Sequence, residues 1–315
     1  MKRLITGLVM AIVVVIVFLL RELSPYVFDV SLGVLTVFGA MEIAKIINLN
    51  KKTNIVFVDV LFTVVAYLWM LISVSLNLTL AAMLVGLVSL IVVLSLIVFV
   101  VLLCSKVYTK ALMEIASYED NRIKFCANCT LTTAFGFIYP TMFLLFGMIF
   151  NHIDSFSQEF SNVSLFADYN LGLIVLLFWI GTTVLCDTMA FYTGNLIGGK
   201  KLCPKISPNK TISGSIGGIV GSIIFGVIAY ALICTDATIA TAFETIGINY
   251  FVIIVFSLVS AIVTQLGDLF VSLLKRKANV KDTGHIFPGH GGVMDRCDGL
   301  SFNAIWILII CAIVF

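Results

Sequence analysis

Charged residues and helix-breaking residues are scarce in this sequence. Asp, Glu, Lys and Arg make up 11% of the 315 residues, only five residues are proline, and 61% are hydrophobic. A mean hydropathy of +1.14 excludes a water-soluble globular protein, because lipid is the only solvent that suits so much apolar surface. The composition therefore predicts an all-α, polytopic integral membrane protein.

Residues that form disulfides or bind soft metals are few or poorly placed to do so. The eight cysteines are scattered, and most lie within or beside apolar runs, so we interpret them as small buried hydrophobes. Two of the three histidines, His285 and His290, lack partner Cys or His residues at helical spacing. A zinc site is therefore disfavoured.

Nine apolar runs are long enough to cross about 30 Å of hydrocarbon at 1.5 Å per residue. They lie near residues 4–20, 26–47, 54–75, 79–104, 130–150, 170–194, 213–234, 248–272 and 300–315. The first run ends at Arg21 and Glu22 without a small-residue cleavage site, so we predict a retained span and not a secretory signal. Pro140 is the one proline expected inside a span, and it predicts a kink in the fifth.

The distribution of Lys and Arg predicts the orientation of these spans. Alternation through nine spans puts 18 of the 19 basic residues on the side of the N-terminus and leaves only Arg21 opposite. The two longer loops on the other side, 151–168 and 235–247, contain no Lys or Arg. By the positive-inside rule, the N-terminus is predicted to be cytoplasmic and the C-terminus outside.

Ionisable residues concentrate between Gly267 and Asp298, which holds four carboxylates, five Lys or Arg and two histidines. Asp268, Ser272 and Lys275 are spaced i, i+4 and i+7, so they share one stripe of a helix. A snorkelling basic belt does not explain carboxylates interleaved with cations around a Gly-Gly turn. A site for a metal-bound polyphosphate does, because Mg²⁺ prefers hard oxygen ligands.

Carboxylates also fall within or at the ends of other spans, at Asp59 and Asp187. An ionised carboxylate there is costly unless it is paired, hydrated or bound to a metal, so we expect a cavity. After Asp187, the segment 207–211 predicts a tight turn ending at the seventh span, where Lys210 and backbone N–H groups would suit phosphate. Taken alone, a capped helix start in an ordinary basic loop explains that segment better.

Together these residues resemble the signature of the phosphatidate cytidylyltransferases, also called CDP-diacylglycerol synthases. The matching residues are Ser272, Lys275, Arg276, Lys281, Asp282, Gly284, Pro288, His290, Gly291, Gly292, Val293, Asp295, Arg296 and Asp298, with every spacing kept. Cys297 departs from the aliphatic residue, Phe or Thr that is usual in the family. The segments around Asp187 and 207–218 resemble a second block, and Glu42 shows a weaker resemblance.

The resemblance implies that the phosphate of phosphatidate attacks the α-phosphorus of CTP and that pyrophosphate leaves. CDP-diacylglycerol then remains in the bilayer, as a Mg²⁺-dependent step of phospholipid biosynthesis. The implied metal ligands are Asp268 and Asp295. The other implied catalytic residues are Lys275, Arg276, Asp282, Arg296 and Asp298. The implied substrate-binding residues are Ser207, Lys210, Thr211, Ser272, Lys281, His290, Gly291 and Gly292.

The resemblance also sets expectations for organisation and partners. It implies an N-terminal region of about four spans at residues 1–128 and a C-terminal catalytic region of about five at 129–315. We expect a homodimer in the inner membrane with its active site facing the cytoplasm. A second cation such as K⁺ is allowed, and no nucleic-acid partner is expected.

Two other functions stay open on the sequence alone. A cytidylyltransferase acting on another membrane lipid phosphate would carry the same residues, because nothing in the motif reads the acyl chains. A transporter also places carboxylates in its spans, but it predicts charges towards the bilayer midplane and related halves. Here the charges gather towards one face, and no internal repeat is visible.

Overall fold

The computed structural model describes residues 2–51, 54–116, 121–156, 161–289 and 291–315, and almost all of its regular structure is helical. The α-helices in this part of the chain are α1 (Lys2–Arg21), α2 (Tyr26–Lys51), α3 (Val56–Ser75), α4 (Leu80–Cys104), α5 (Lys106–Ile115), α6 (Arg122–Gly136), α7 (Phe143–Asn151), α8 (Leu171–Ile197), α9 (Ile212–Ile233), α10 (Ala237–Thr245), α11 (Tyr250–Lys277) and α12 (Met294–Val314). A π-helix spans Phe137–Met142, two short 3-10 helices span Ile153–Phe156 and Ser161–Phe166, and strands β1 (Lys201–Cys203) and β2 (Ser207–Thr211) form a hairpin. The predicted all-α class is confirmed.

Eight helical segments of the described chain are long and apolar enough to cross a membrane. They are Tyr26–Leu49, Val56–Ser75, Leu80–Cys104, Arg122–Asn151, Leu171–Ile197, Ile212–Ile233, Tyr250–Lys277 and Met294–Val314. Each coincides with one of the nine predicted spans. The first predicted span corresponds to a shorter apolar helix, Thr6–Arg21. A multi-pass membrane protein is thus confirmed, whereas nine crossings and a cytoplasmic N-terminus stay predictions.

The chain divides into two compact units. The first unit comprises Met1–Met148 and Leu274–Asp295, and the second comprises Ile149–Leu273 and Arg296–Phe315. Helices α11 and α12 each continue from one unit into the other. The boundary predicted at residues 128 and 129 concerns catalytic role and not compactness, so it stays a prediction.

In the first unit, the kink predicted at Pro140 is confirmed. The π-helix around Pro140 separates α6 from α7, and Tyr139 leaves helical geometry at φ −113° and ψ 120°. Proline lacks the N–H that would continue the helical ladder, and its ring clashes with the preceding turn. The aromatic ring of Phe137 packs edge-on against Phe62 of α3, with 5.7 Å between ring centroids.

In the second unit, glycines let α8 and α9 pack backbone to backbone. A Cβ on Gly214 would lie 2.7 Å from the carbonyl oxygen of Ala190, and one on Gly218 would lie 2.9 Å from that of Cys186. This four-residue spacing of small residues is the usual device for close helix packing in membranes. It fixes the end of α8 against the start of α9, where several predicted site residues lie.

The tight turn predicted at residues 207–211 is wrong. These residues form strand β2, which pairs antiparallel with β1, with Cys203 opposite Ser207 and Lys201 opposite Thr211. The chain reverses between β1 and β2, where the N–H of Ile206 donates to the carbonyl of Cys203 at 3.1 Å. Pro208 is tolerated because a strand of a two-stranded hairpin has a free edge that needs no N–H.

Candidate active site

In the first unit, predicted site residues gather around one carboxylate, and we call this group the Asp295 cluster. It consists of Glu42, Lys275, Thr283, Gly292 and Asp295. The ammonium of Lys275, in the last turn of α11, lies 2.7 Å from Asp295 Oδ1. Asp295 Oδ2 accepts hydrogen bonds from Thr283 N at 2.8 Å, Gly292 N at 2.9 Å and Thr283 Oγ1 at 3.1 Å. Three nitrogen donors therefore converge on one carboxylate, and the single hydroxyl proton of Thr283 is shared between Asp295 and Glu42.

Glu42 of α2 supplies the second carboxylate of this cluster and is only 4% exposed. Its oxygens accept from Thr283 Oγ1 at 2.8 Å and from the N–H groups of Val293 and Met294, both at 3.0 Å. Those two N–H groups open α12 and have no acceptor within the helix. Glu42 therefore caps α12 from a different helix.

The Gly-rich turn of the signature closes beside this cluster. The N–H of Phe287 donates to the carbonyl of Gly291 at 2.9 Å, and the reverse bond measures 3.1 Å. Gly291 adopts a φ of +87°, and a Cβ there would overlap the carboxylate of Asp295. Glycine is required at this position on both counts. His290, a predicted substrate-binding residue, lies outside the described residues.

Three further predicted residues of the first unit present their side chains at the surface. They are Arg276 at the end of α11, and Lys281 and Asp282 in the segment that follows. Lys281 and Asp282 immediately precede Thr283, whose backbone and hydroxyl are held by the two carboxylates. The anchored threonine therefore limits where these two exposed charges point.

In the second unit, the predicted residues gather around Asp268 of α11. The ammonium of Lys210, on β2, lies 2.5 Å from Asp268 Oδ2, and the two side chains are 25% and 31% exposed. Asp187 of α8 lies close enough for the charges of Asp268, Lys210 and Arg296 to act on it. We call these four residues the Asp268 cluster. It combines two carboxylates, Asp187 of α8 and Asp268 of α11, with two cations, Lys210 of β2 and Arg296 near the start of α12.

The start of α9 is built as a capped helix next to this cluster. Thr211 is buried, and its Oγ1 accepts a hydrogen bond from Gly214 N at 3.1 Å. Ser213 Oγ donates to the carbonyl of Gly198, in the turn before β1. The capped helix start considered for this segment is confirmed, and it holds Lys210 one residue before the cap. Ser207 begins the same strand and is half-buried.

Ser272 and Asp298 complete the predicted residues of the second unit. Both are buried, each with 7% exposure, on α11 and near the start of α12 respectively. Asp298 Oδ1 accepts from Gly299 N at 2.9 Å, and the Asp298 carbonyl accepts from Ser301 Oγ at 2.8 Å. Asp298 therefore helps to shape the start of α12.

The sequence that forms these two clusters matches the model of a known protein family. The sequence model described as the Cytidylyltransferase family matches residues 1–314. The chain belongs to the cytidylyltransferase family. The match covers the cap of α9, the signature segment and the beginning of α12, so both clusters are family regions.

Curated relatives within this cytidylyltransferase family carry a more specific name. A phosphatidate cytidylyltransferase of Rickettsia felis is 39% identical over 162 residues, which cover 51% of this chain and 67% of that protein. Phosphatidate cytidylyltransferases of Rickettsia conorii and Brucella abortus are 41% and 36% identical over 133 residues, 42% of this chain in each case. Those alignments cover 55% and 45% of the relatives, so the chain spans about half to two thirds of their length.

A divalent metal ion fits the chemistry of Asp268 better than that of Asp295. Among the residues that the structure describes, no group of three or more His, Cys, Asp or Glu side chains is placed to hold a metal. Asp268 is a partly exposed hard oxygen donor, as Mg²⁺ prefers. Asp295 is 6% exposed and already accepts from three nitrogen donors, with the Thr283 hydroxyl 3.1 Å away. The two predicted ligands belong to different units, and their assignment to a metal stays a prediction.

The cavity expected from the intramembrane carboxylates is not the one found in the second unit. That cavity, of about 410 Å³, is lined by apolar side chains such as Leu171, Phe225 and Ile307, and by none of the predicted site residues. It lies at the end of α8 away from Asp187. Asp59 is fully buried in the first unit, beside Gly136.

Two residues of the Asp295 cluster, Thr283 and Glu42, were not predicted from the sequence to be site residues. Thr283 lies inside the signature segment, yet it fell at a position read as a spacer. Glu42 showed only a weak resemblance, and 241 residues separate it from Thr283. A buried acid late in a span was the one available signal, because such a group needs partners.

Proposed function

We propose that the protein is a phosphatidate cytidylyltransferase, which transfers CMP from CTP to phosphatidate. The observation that carries this proposal is that two lysines suited to binding phosphate each form an ion pair with an aspartate. Lys210 pairs with Asp268, and Lys275 pairs with Asp295. Lys210 lies just before the start of α9 and Asp295 in the first turn of α12, and helix starts offer a polyphosphate backbone N–H donors beside the lysine cations. Membership of the cytidylyltransferase family supports the type of transfer.

In the proposed reaction, a phosphate oxygen of phosphatidate forms a bond to the α-phosphorus of CTP. The bond from that phosphorus to the β-phosphate oxygen breaks, and the electron pair leaves with pyrophosphate. Phosphatidate is already anionic at neutral pH, so no general base is required. Catalysis of this kind depends on positioning the reactants and neutralising charge, and not on a covalent enzyme intermediate.

The ion pairs give each lysine a place before substrate arrives. We propose that Lys210 and Lys275 exchange their aspartate partners for phosphate oxygens when CTP and phosphatidate bind. Arg276, Lys281 and Arg296 are exposed cations that would take the remaining negative charge. The hydroxyls of Ser207, Thr211 and Ser272, together with His290, Gly291 and Gly292, are proposed to complete the substrate contacts.

Carboxylates released by those lysines would be free for another positive partner. Mg²⁺ is the proposed cation, with Asp268 and Asp295 as candidate ligands and Asp282 and Asp298 in support. When bound, it would neutralise charge at the triphosphate. A second cation such as K⁺ is also allowed by this proposal.

The setting of the reaction is proposed from the same residues. Phosphatidate is a lipid, so a multi-pass membrane chain suits it, while CTP would arrive from the cytoplasm. The basic loops support a site on the cytoplasmic side of the inner membrane. A homodimer is proposed on the family resemblance alone, and crosslinking in native membranes would test it.

The test of the function uses the purified full chain in detergent micelles. It is incubated with phosphatidate, CTP labelled at the α-phosphate and Mg²⁺, and label is followed into the organic phase. We expect label to enter a lipid product, with pyrophosphate released in equal amount. Parallel reactions offer isoprenoid and ether-linked lipid phosphates.

Two results would contradict the proposal in different ways. Transfer to another lipid phosphate, with none to phosphatidate, would keep the chemistry and change the substrate. No transfer to any lipid phosphate, by protein that is shown to be folded, would remove the cytidylyltransferase activity altogether.

A further inference from the structure

Glu42 is a buried carboxylate that the proposed reaction does not use directly, yet it makes three hydrogen bonds to the signature segment. Its two oxygens accept from the N–H groups of Val293 and Met294 and from the hydroxyl of Thr283. All three donors lie more than 240 positions away in the sequence. One side chain of α2 therefore ties together both ends of the segment 283–294.

The signature segment is also shaped to receive this carboxylate. A Cβ added to Gly284 or to Gly292 would overlap the carboxylate oxygens of Glu42. Only glycine lets the backbone approach so closely at both positions. The side chain of Glu42 is thus enclosed by the backbone at Gly284 and Gly292 and by the start of α12.

Thr283 links Glu42 to the residues proposed to act on substrate. Its hydroxyl lies 2.8 Å from Glu42 Oε2 and 3.1 Å from Asp295 Oδ2, and its N–H donates to Asp295. Asp295 in turn holds the ammonium of Lys275. A shift of Thr283 would therefore move its neighbours Lys281 and Asp282 and disturb the pair formed by Lys275 and Asp295.

We propose that Glu42 is a positioning residue for the cytidylyl transfer, acting through Thr283 and the N-terminus of α12. This inference rests on the proposed function. The negative charge matters because all three partners are donors, and the partial positive charge of a helix N-terminus favours a carboxylate. An amide at the same place would turn one acceptor into a donor that faces another donor.

The test compares Glu42→Gln with Glu42→Asp and with a matched control in the same helix. Thr36→Val is the control, because Thr36 is also fully buried and its hydroxyl donates to Leu32 O of its own helix, at 2.7 Å. Two readouts are made on folded protein: steady-state transfer kinetics, and hydrogen exchange of the peptide containing Thr283. Exchange does not depend on the reaction.

We expect Glu42→Gln to lower kcat on the order of 10-fold to 100-fold, with a much smaller change in KM for CTP, since misplacement acts on the transition state. Exchange around Thr283 should become faster. Glu42→Asp, which keeps the charge, should recover part of kcat, and Thr36→Val should behave as wild type in both readouts. A residue that only stabilises the fold would lower the amount of folded enzyme and leave kcat unchanged.

Three results would overturn or redirect the inference. Unchanged kcat in folded Glu42→Gln would remove the positioning role even if exchange became faster. Unchanged exchange would remove the anchoring of Thr283. If wild-type protein transferred no CMP, the proposed function would fail, and exchange alone would still decide whether Glu42 holds the segment. Should Glu42→Gln not fold, Glu42→Asp and Thr283→Val carry the same comparison.

Discussion

The ammonium of Lys210 lies 2.5 Å from the carboxylate of Asp268, and both side chains are partly exposed. Ion pairs with this exposure contribute only about 0–1 kcal/mol to stability, so stability does not account for the pair. The second pair, Lys275 with Asp295, has the same composition and is more buried, at 12% and 6% exposure. Each pair holds a lysine ammonium in place beside an aspartate, and a phosphate oxygen could take the place of that aspartate.

Replacing Lys210 by alanine should lower kcat/KM for CTP by about 100-fold or more, because one charged contact to a transferring phosphate is lost. Lys205→Ala is the matched control, since Lys205 is an exposed lysine of the same hairpin region. The transfer assay on both purified variants provides the measurement. Equal activities of the two variants would show that Lys210 is only part of a basic loop.

Replacing Asp295 by asparagine should lower both activity and stability. Asn keeps one acceptor oxygen but loses the charge that binds Lys275, which should cost about 1–3 kcal/mol for charged hydrogen bonds. Asp154→Asn is the structural control, because Asp154 also accepts two backbone N–H bonds, from Leu171 at 3.1 Å and Gly172 at 3.0 Å. Thermal unfolding should fall for both variants, while turnover per folded molecule should fall for Asp295→Asn alone.

The helices of this chain could be predicted because length and apolar composition alone define a membrane span. Short elements lacked such a signal: α5 and α10 are about ten residues or fewer, and the hairpin has no alternation of apolar and polar residues. Residues 207–211 were predicted to form a turn, whereas the chain forms β2 there. The kink at Pro140 was predictable because it follows from the chemistry of one residue.

The candidate site was predictable only where its residues are close in sequence. Lys275 and Asp295 belong to one signature segment, and their ion pair joins residues 20 positions apart. Glu42 was not assigned a role, because periodicity and motif spacing carry no information about a partner 241 positions away. The pairing of Lys210 with Asp268 was missed for the same reason, although each residue was chosen individually.

Removal of divalent cations should abolish transfer, since the proposed reaction gathers several negative charges at one place. We expect EDTA to stop label incorporation and Mg²⁺ to restore it better than Ca²⁺, which prefers larger and more flexible sites. Asp268→Asn should raise the Mg²⁺ concentration for half-maximal activity by at least about tenfold. The control Asp236→Asn removes a carboxylate that caps α10 and should leave that concentration unchanged. Full activity in EDTA would exclude the proposed metal.

The glycine contact between α8 and α9 should be sensitive to a single methyl group. In Gly218→Ala, the new Cβ would lie 2.9 Å from the carbonyl oxygen of Cys186, which is backbone and cannot rotate away. Overpacking of this kind typically costs about 1–3 kcal/mol. Val220→Ala, at a position with 45% exposure on the same helix, should change thermal unfolding in detergent much less. If both variants unfolded at the same temperature, the close contact between Gly218 and Cys186 would not contribute to stability.

The predicted orientation can be tested with two native cysteines at opposite ends of α9. Cys203 lies in β1 before the helix, and Cys234 directly follows the helix. The helix between them has 22 residues and is therefore about 33 Å long. In intact spheroplasts, a membrane-impermeant maleimide should label a variant that retains only Cys234 and spare one that retains only Cys203. Burial raises the pKa of the Cys234 thiol, so less of it is thiolate at a given pH, and its labelling should become faster as pH rises above the ordinary thiol range. Labelling of Cys203 alone would reverse the orientation and place the Asp268 cluster on the outer side of the membrane.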